Sequence, residues 1–232
     1  MKFHYLPLLC FIPLLTSCKN VRIASGADDN FIHLPEEINT KPISPEKSLF
    51  PTPVGGYWIY RLVNTKGDQE KVVAQPRRIV EGVEAVVLTS AQISGPPREE
   101  LFKITSQEIT HLSSTGGNDK VTMKPPMPLL QFPLNFDKSI AWQGGVLVRG
   151  SLVPSKGHSR LKAIEKVTVP AGTFTAYRVD SILETTTSGG ASTYWTTRWF
   201  APGVGMVKVR YIVNNPNQPN QLFLKELTSY KL

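Results

Sequence analysis

Residues 167–211 read VTVPAGTFTAYRVDSILETTTSGGASTYWTTRWFAPGVGMVKVRY, and this stretch decides the fold. Apolar and polar residues alternate with period two, as on a strand with one half-buried face. From 176 to 183, Tyr177, Val179, Ser181 and Leu183 share one face; Ala176, Arg178, Asp180 and Ile182 share the other. From 206 to 213, Val207, Val209, Tyr211 and Val213 oppose Met206, Lys208, Arg210 and Ile212. Between them, Thr185–Thr197 is rich in strand-favouring Thr, Tyr and Trp. Turn chemistry separates the runs: Pro170-Ala171-Gly172, Gly189-Gly190 and Pro202-Gly203-Val204-Gly205. Proline presets one turn position and glycine accepts positive φ. Three antiparallel strands follow.

The same logic extends outward. Tyr57–Val63, Lys71–Val80, Val83–Ala91, Glu99–Thr105, Glu108–Ser113, Val146–Val153, Arg160–Val169 and Leu222–Leu227 read as further strands, with turns at Gly67-Asp68, Glu81-Gly82 and Gly116–Asp119. No 3.6-residue apolar stripe competes with them. The expectation is an all-β domain of about 10–12 strands with little helix. Met123–Phe136 (MKPPMPLLQFPLNF) stands apart: its four prolines predict a loop rather than a central strand. Its apolar residues must then be covered, either by plugging a core or by lining a groove for an apolar ligand.

The blocks VPAGTFTAYRV and WFAPGVGMVKVRY resemble a signature of secreted and lipid-anchored bacterial domains of the TapB-like kind and their uncharacterised relatives. LLQFPLNFDKSIAW is similar to a third block of such proteins, with Asp137 where a Gly is expected. The resemblance implies a single strongly curved antiparallel sheet, similar to the half-barrels of periplasmic lipoprotein carriers. It carries no catalytic residues.

The N-terminus supplies the location. MKFHYLPLLCFIPLLTSC has one lysine, an apolar segment too short to span a membrane, and Leu15-Thr16-Ser17-Cys18 in the pattern of a bacterial lipobox. Residues 1–17 are therefore expected to be a lipoprotein signal peptide, and Cys18 the lipidated residue. Residues 18–49, with Pro35, Pro42 and Pro45 and no sustained period, read as lipidated cysteine plus flexible tether, and 50–232 as the β domain. Lys19, rather than Asp, after the cysteine directs the expectation to the outer membrane, facing the periplasm. Of the chain's two cysteines, Cys10 leaves with the signal and Cys18 becomes a thioether, so no disulfide is expected. The net charge of +8 falls to +7 once Lys2 is removed. For an exported protein this excess points to anionic envelope components rather than nucleic acid.

Catalytic chemistry finds no support. There is no Gly-x-Ser-x-Gly elbow, no phosphate loop and no paired metal-ligating histidines. His33, His111 and His158 are isolated and read as surface residues. Glu99 and Glu100 point to opposite faces of a strand and form no acid pair. The expectation is a non-enzymatic binding or accessory module without metal or cofactor, holding an apolar, lipid-like ligand or an envelope protein; the alternative is a structural or secretion-associated protein acting through protein contacts. Candidate ligand contacts are Met127, Leu130 and Phe132 of the proline-rich segment and Trp195 and Trp199, which share one strand face.

Overall fold

The computed structural model describes residues 43–232 except 64–66, 93–94, 118, 137 and 217. The signal peptide, Cys18 and the segment up to residue 42 lie outside the described residues, as does Asp137. The order is β1 (Tyr57–Leu62), β2 (Gln69–Val80), β3 (Val83–Gln92), β4 (Arg98–Ile104), β5 (Glu108–Gly116) and β6 (Asp119–Gln131). It continues with β7 (Ser139–Val148), β8 (Ser151–Val169), β9 (Gly172–Thr187), β10 (Gly190–Ala201), β11 (Gly205–Asn214) and β12 (Gln221–Lys231). Every strand pairs antiparallel with its sequence neighbours, and β1 also pairs with β12. The sheet is a closed twelve-stranded barrel.

Strand number and all-β class follow the sequence. The half-barrel expectation stops short of what is found, because the curvature continues until Tyr57–Leu62 meets Lys225–Lys231 and no edge is left. Bulges supply local bends, among them Ile59/Tyr60, Leu101/Phe102, Leu161/Ala163 and Trp199/Phe200.

Met123–Phe136 is not a loop: most of it belongs to β6, which runs through Pro125, Pro126 and Pro128. Proline is tolerated there because the ladder is interrupted. Pairing with β7 ends at Lys124↔Gly145, and pairing with β5 skips from Thr122 to Met127. Pro125 and Pro126 fall in that gap, where no partner strand asks for an N–H, and Pro128, opposite Thr110, sits beside the register shift at Ile109/Thr110. Gly144 lets the chain pass close by, since a Cβ there would collide with the Lys124 carbonyl. Trp142 Nε1 closes the gap by donating to the Pro125 carbonyl at 3.0 Å.

The barrel has two unlike ends. One is filled by the main core, including Trp58, Val86, Phe102, Ile109, Leu134, Phe200 and Leu227. Residues 43–50, most of them read from sequence as tether, seal it: Ile43 exchanges backbone hydrogen bonds with Leu134, and Leu49 and Phe50 are buried. The Phe50 ring packs edge-on against Phe102 and Phe200, with centroids 5.2 and 5.9 Å away. Trp58 Nε1 donates to the Val204 carbonyl (2.6 Å) and the Tyr60 hydroxyl to the Met206 carbonyl (2.8 Å), tying β1 to the β10–β11 connection. At the other end lie the turns after β1, β3, β5, β7, β9 and β11.

The outer face carries ion pairs: Arg78–Glu99 at 2.5 Å, and Arg61 and Lys208 at 2.6 and 2.9 Å from the largely buried Glu226. Exposed pairs such as Arg78–Glu99 contribute about 0–1 kcal/mol each. Their presence marks a water-facing barrel, unlike the apolar outer band of a membrane-spanning one.

Candidate functional site

Alternation that turns one face of each strand inward leaves a cavity of about 210 Å³ between the filled core and the turn end. That exceeds the roughly 150 Å³ at which an apolar protein cavity accepts benzene. Part of its wall is apolar: Leu62, Leu183, Tyr194, Val213 and Phe223 of β1 and β9–β12, with Met123 and Met127 of β6. Val121, Trp142, Val146, Val148 and Val153 back the two methionines.

The rest of the wall carries a belt of charge: Glu70, Arg98, Glu100, His111, Arg198 and Lys225 all border the cavity. Lys225 Nζ donates to Glu70 Oε2 at 2.8 Å. It also lies 5.0 Å from the centre of the Tyr60 ring, a cation–π contact. The other members are electrostatic neighbours in sequence around the wall: Arg98 acts on Glu70, Glu100 on Lys225 and His111, and Arg198 on His111. The Glu70 side chain is 5% exposed and that of Lys225 20%. Burial pushes the Glu70 carboxyl up, but Lys225 and Arg98 outweigh it and hold the group below the usual carboxylate range. Burial likewise works against charge on Lys225, and Glu70 with Glu100 more than compensates, holding its ammonium above the ordinary lysine value.

His111 is not the surface residue its isolation in the sequence predicts. Its ring stacks on Phe102 (centroids 5.1 Å apart) and its Nε2 is 2.8 Å from Ser114 Oγ. Burial, with Arg198 nearby, depresses it to about 4 against the pull of Glu100. The unfolded chain takes up this proton near pH 6.5 and the folded chain only near 4, so stability falls as pH drops through that window. At roughly 1.4 kcal/mol per pH unit the loss is about 3 kcal/mol. His111→Gln is expected to flatten the stability profile between pH 6.5 and 4, as read by urea titrations. An unchanged slope in the variant would show that His111 does not titrate this way.

Arg198 keeps an unused donor. Its Nη2 lies 3.5 Å from the Tyr211 hydroxyl, a long contact, and its Nη1 is buried without a hydrogen-bond partner among the described residues. No metal-binding group of three or more His, Cys, Asp or Glu occurs among the described residues.

Of the residues singled out from the sequence, Met127 borders the cavity. Leu130 is buried in the main core, and Phe132 packs partly buried against it. Trp195 and Trp199 have the parity opposite to the cavity-lining Tyr194, Thr196 and Arg198, and Trp199 packs partly buried against the main core cluster. Trp199 Nε1 donates to Glu165 at 2.6 Å, and Lys208 sits 5.7 Å over its ring. These five residues are not gathered at one site. The charge belt went unread, though its signal is present: Glu70 has the parity of Val72, Glu100 that of Phe102, and Arg198 that of Phe200, so each charge occupies a core-facing position.

The fold and cavity define a water-facing, closed up-and-down β-barrel with a ligand-sized lumen. Residues 158–215, from within β8 to just past β11, match the family described as DUF3108-like. Among solved structures, the chain is similar to a candidate lipoprotein from Parabacteroides distasonis (TM-score 0.54, 13% identity, 80% of this chain and 99% of that one). It is also similar to a candidate exported protein with a YmcC-like fold from Bacteroides fragilis (TM-score 0.52, 14% identity, 80% of this chain and 100% of that one). At such identities the likeness concerns the fold. No curated protein matches the chain. The DUF3108-like match spans both blocks that carry the TapB-like resemblance, without bearing on that name.

Proposed function

We propose that this protein is a non-catalytic, lipid-anchored module of the bacterial envelope that holds an apolar or amphipathic ligand in the barrel lumen. The observation that carries the reading is the cavity, walled by Leu62, Met123, Met127, Leu183, Val213 and Phe223 over a floor sealed by residues 43–50. Enclosed apolar walls with a few convergent polar groups are the usual make-up of a small-molecule site. The lipobox at Cys18 and the similarity to exported and lipoprotein candidates support an envelope location, with the outer membrane, on its periplasmic side, as the proposed place. The lumenal charges are spread around the wall rather than paired as nucleophile and base, which favours binding over turnover.

The test is photolabelling of the full chain in phosphatidylcholine vesicles with a twelve-carbon chain bearing a terminal diazirine. Labelled peptides are expected from β6 around Met123–Met127 and from β9 around Leu183. Label confined to outer-face peptides would sink the lumen reading and favour a protein acting only through protein contacts.

A further inference from the structure

The ion pairing within the lumen is uneven, and that unevenness identifies the ligand's head group. Glu70 is committed to Lys225. Asp68 is buried and engaged in an interaction of its own. Arg98 and Arg198 border the cavity, and among the described residues neither has a carboxylate within 4.0 Å. A guanidinium facing a largely apolar cavity loses hydration, and its fork of donors suits a planar or tetrahedral oxyanion. Arg198 has donors to spare: one arm is buried without a partner and the other reaches Tyr211 only at 3.5 Å.

We infer that the lumen takes a single-chain amphiphile bearing one negative charge, its oxyanion head against Arg198 and Arg98 and its chain against the apolar wall of Leu62, Leu183, Val213 and Phe223. The inference rests on the lumen being a ligand site, and it deepens that reading by fixing the ligand's chemical class. Arg98 and Arg198 border the same cavity as Leu62, Leu183, Val213 and Phe223, so one amphiphile meets both a cationic and an apolar part of the wall. Glu100 limits the charge. With Glu70 paired to Lys225 and Asp68 engaged in its own interaction, two bases (Arg98, Arg198) and one acid (Glu100) are left on the wall, an excess of one positive charge. A second negative charge on the head would face Glu100 without compensation. A fatty carboxylate or a phosphodiester lipid meets this description.

Photolabelling of the full chain in phosphatidylcholine vesicles separates the outcomes, using four probes with one diazirine-bearing twelve-carbon chain: carboxylate, methyl phosphodiester, alcohol and trimethylammonium. The carboxylate and phosphodiester are expected to label lumenal peptides at concentrations at least tenfold below the alcohol. Arg198→Gln is expected to erase that preference while alcohol labelling stays within twofold, which also verifies that the variant is folded. Glu100→Gln is expected to tighten carboxylate labelling several-fold. Equal lumenal labelling by carboxylate and alcohol would overturn the inference and leave the binding-module reading standing. Preference for the ammonium probe would overturn it in favour of Glu100. Protection by acetate as potent as by unlabelled dodecanoate would reduce the site to one for a free anion. Absence of lumenal label with all four would remove the reading on which the inference rests.

Discussion

Lys225→Met is expected to destabilise the barrel by about 3–5 kcal/mol, the usual cost of removing one member of a buried ion pair. Methionine preserves the length of the side chain and much of its packing on Tyr60, so the loss isolates the charge. What remains is a carboxylate that is 5% exposed and has lost the partner 2.8 Å away that held it ionised. Burial, which already pushes Glu70 up, would then be opposed mainly by Arg98 and Ser90. The double variant Lys225→Met/Glu70→Leu should recover most of the loss, because an apolar pair in this position has no charge to desolvate. The pH dependence has a definite sign. Glu70 is held below its unfolded value, so its contribution in the native protein is present at neutral pH and fades in acid. With Lys225 removed its folded value rises, and the gap between variant and native protein should narrow as pH falls. Urea titrations of the full chain at pH 7.5 and 5 measure both effects. A single variant within 1 kcal/mol of the native protein at pH 7.5 would mean that the pair is not buried as described.

The strands and their turns were legible because their signals are local. Pro170–Gly172, Gly189-Gly190 and Glu81-Gly82 each carry the chemistry of the turn they make, and alternation placed Tyr194, Arg198 and Phe200 on one face and Trp195 and Trp199 on the other. Closure was not legible. It depends on β1 meeting β12, some 170 residues away in sequence, and neither strand announces its partner. The prolines of β6 mislead for a related reason: their cost depends on whether a neighbouring strand requires an N–H at that point, and for Pro125 and Pro126 the gap between Thr122 and Met127 in the β5 ladder removes the requirement. Aromatic crowding drew attention to Trp195 and Trp199 as ligand contacts, yet the opposite face lines the cavity. Inward-facing charge was the better signal. Glu70, Glu100, Arg198 and Lys225 interrupt otherwise apolar positions of their strands, a placement that folding does not favour unless the residues are paired or serve a ligand.

Phe50→Ala is expected to cost about 3–5 kcal/mol, the range for truncating a buried phenylalanine. For a domain of this size the midpoint of thermal unfolding should fall on the order of 6–20 °C. The ring is 4% exposed and has edge-to-face contacts with two core aromatics on different parts of the wall, Phe102 of β4 and Phe200 of β10. It comes before the first strand, in the leading segment that closes the floor. Truncation therefore does more than leave a void inside a sheet. It loosens the plug that separates the lumen from water at that end, and the cavity above should become wetter and bind an apolar chain less well. Ile79→Ala supplies the contrast: that side chain is 70% exposed near the β2–β3 turn, and its loss should leave the midpoint within a degree or two. If Phe50→Ala melted with the native protein, residues 43–50 would be an appendage rather than part of the core. A large drop would instead place the start of the folded domain ahead of the first strand. The leading segment would then serve as the floor on which the ligand site is built.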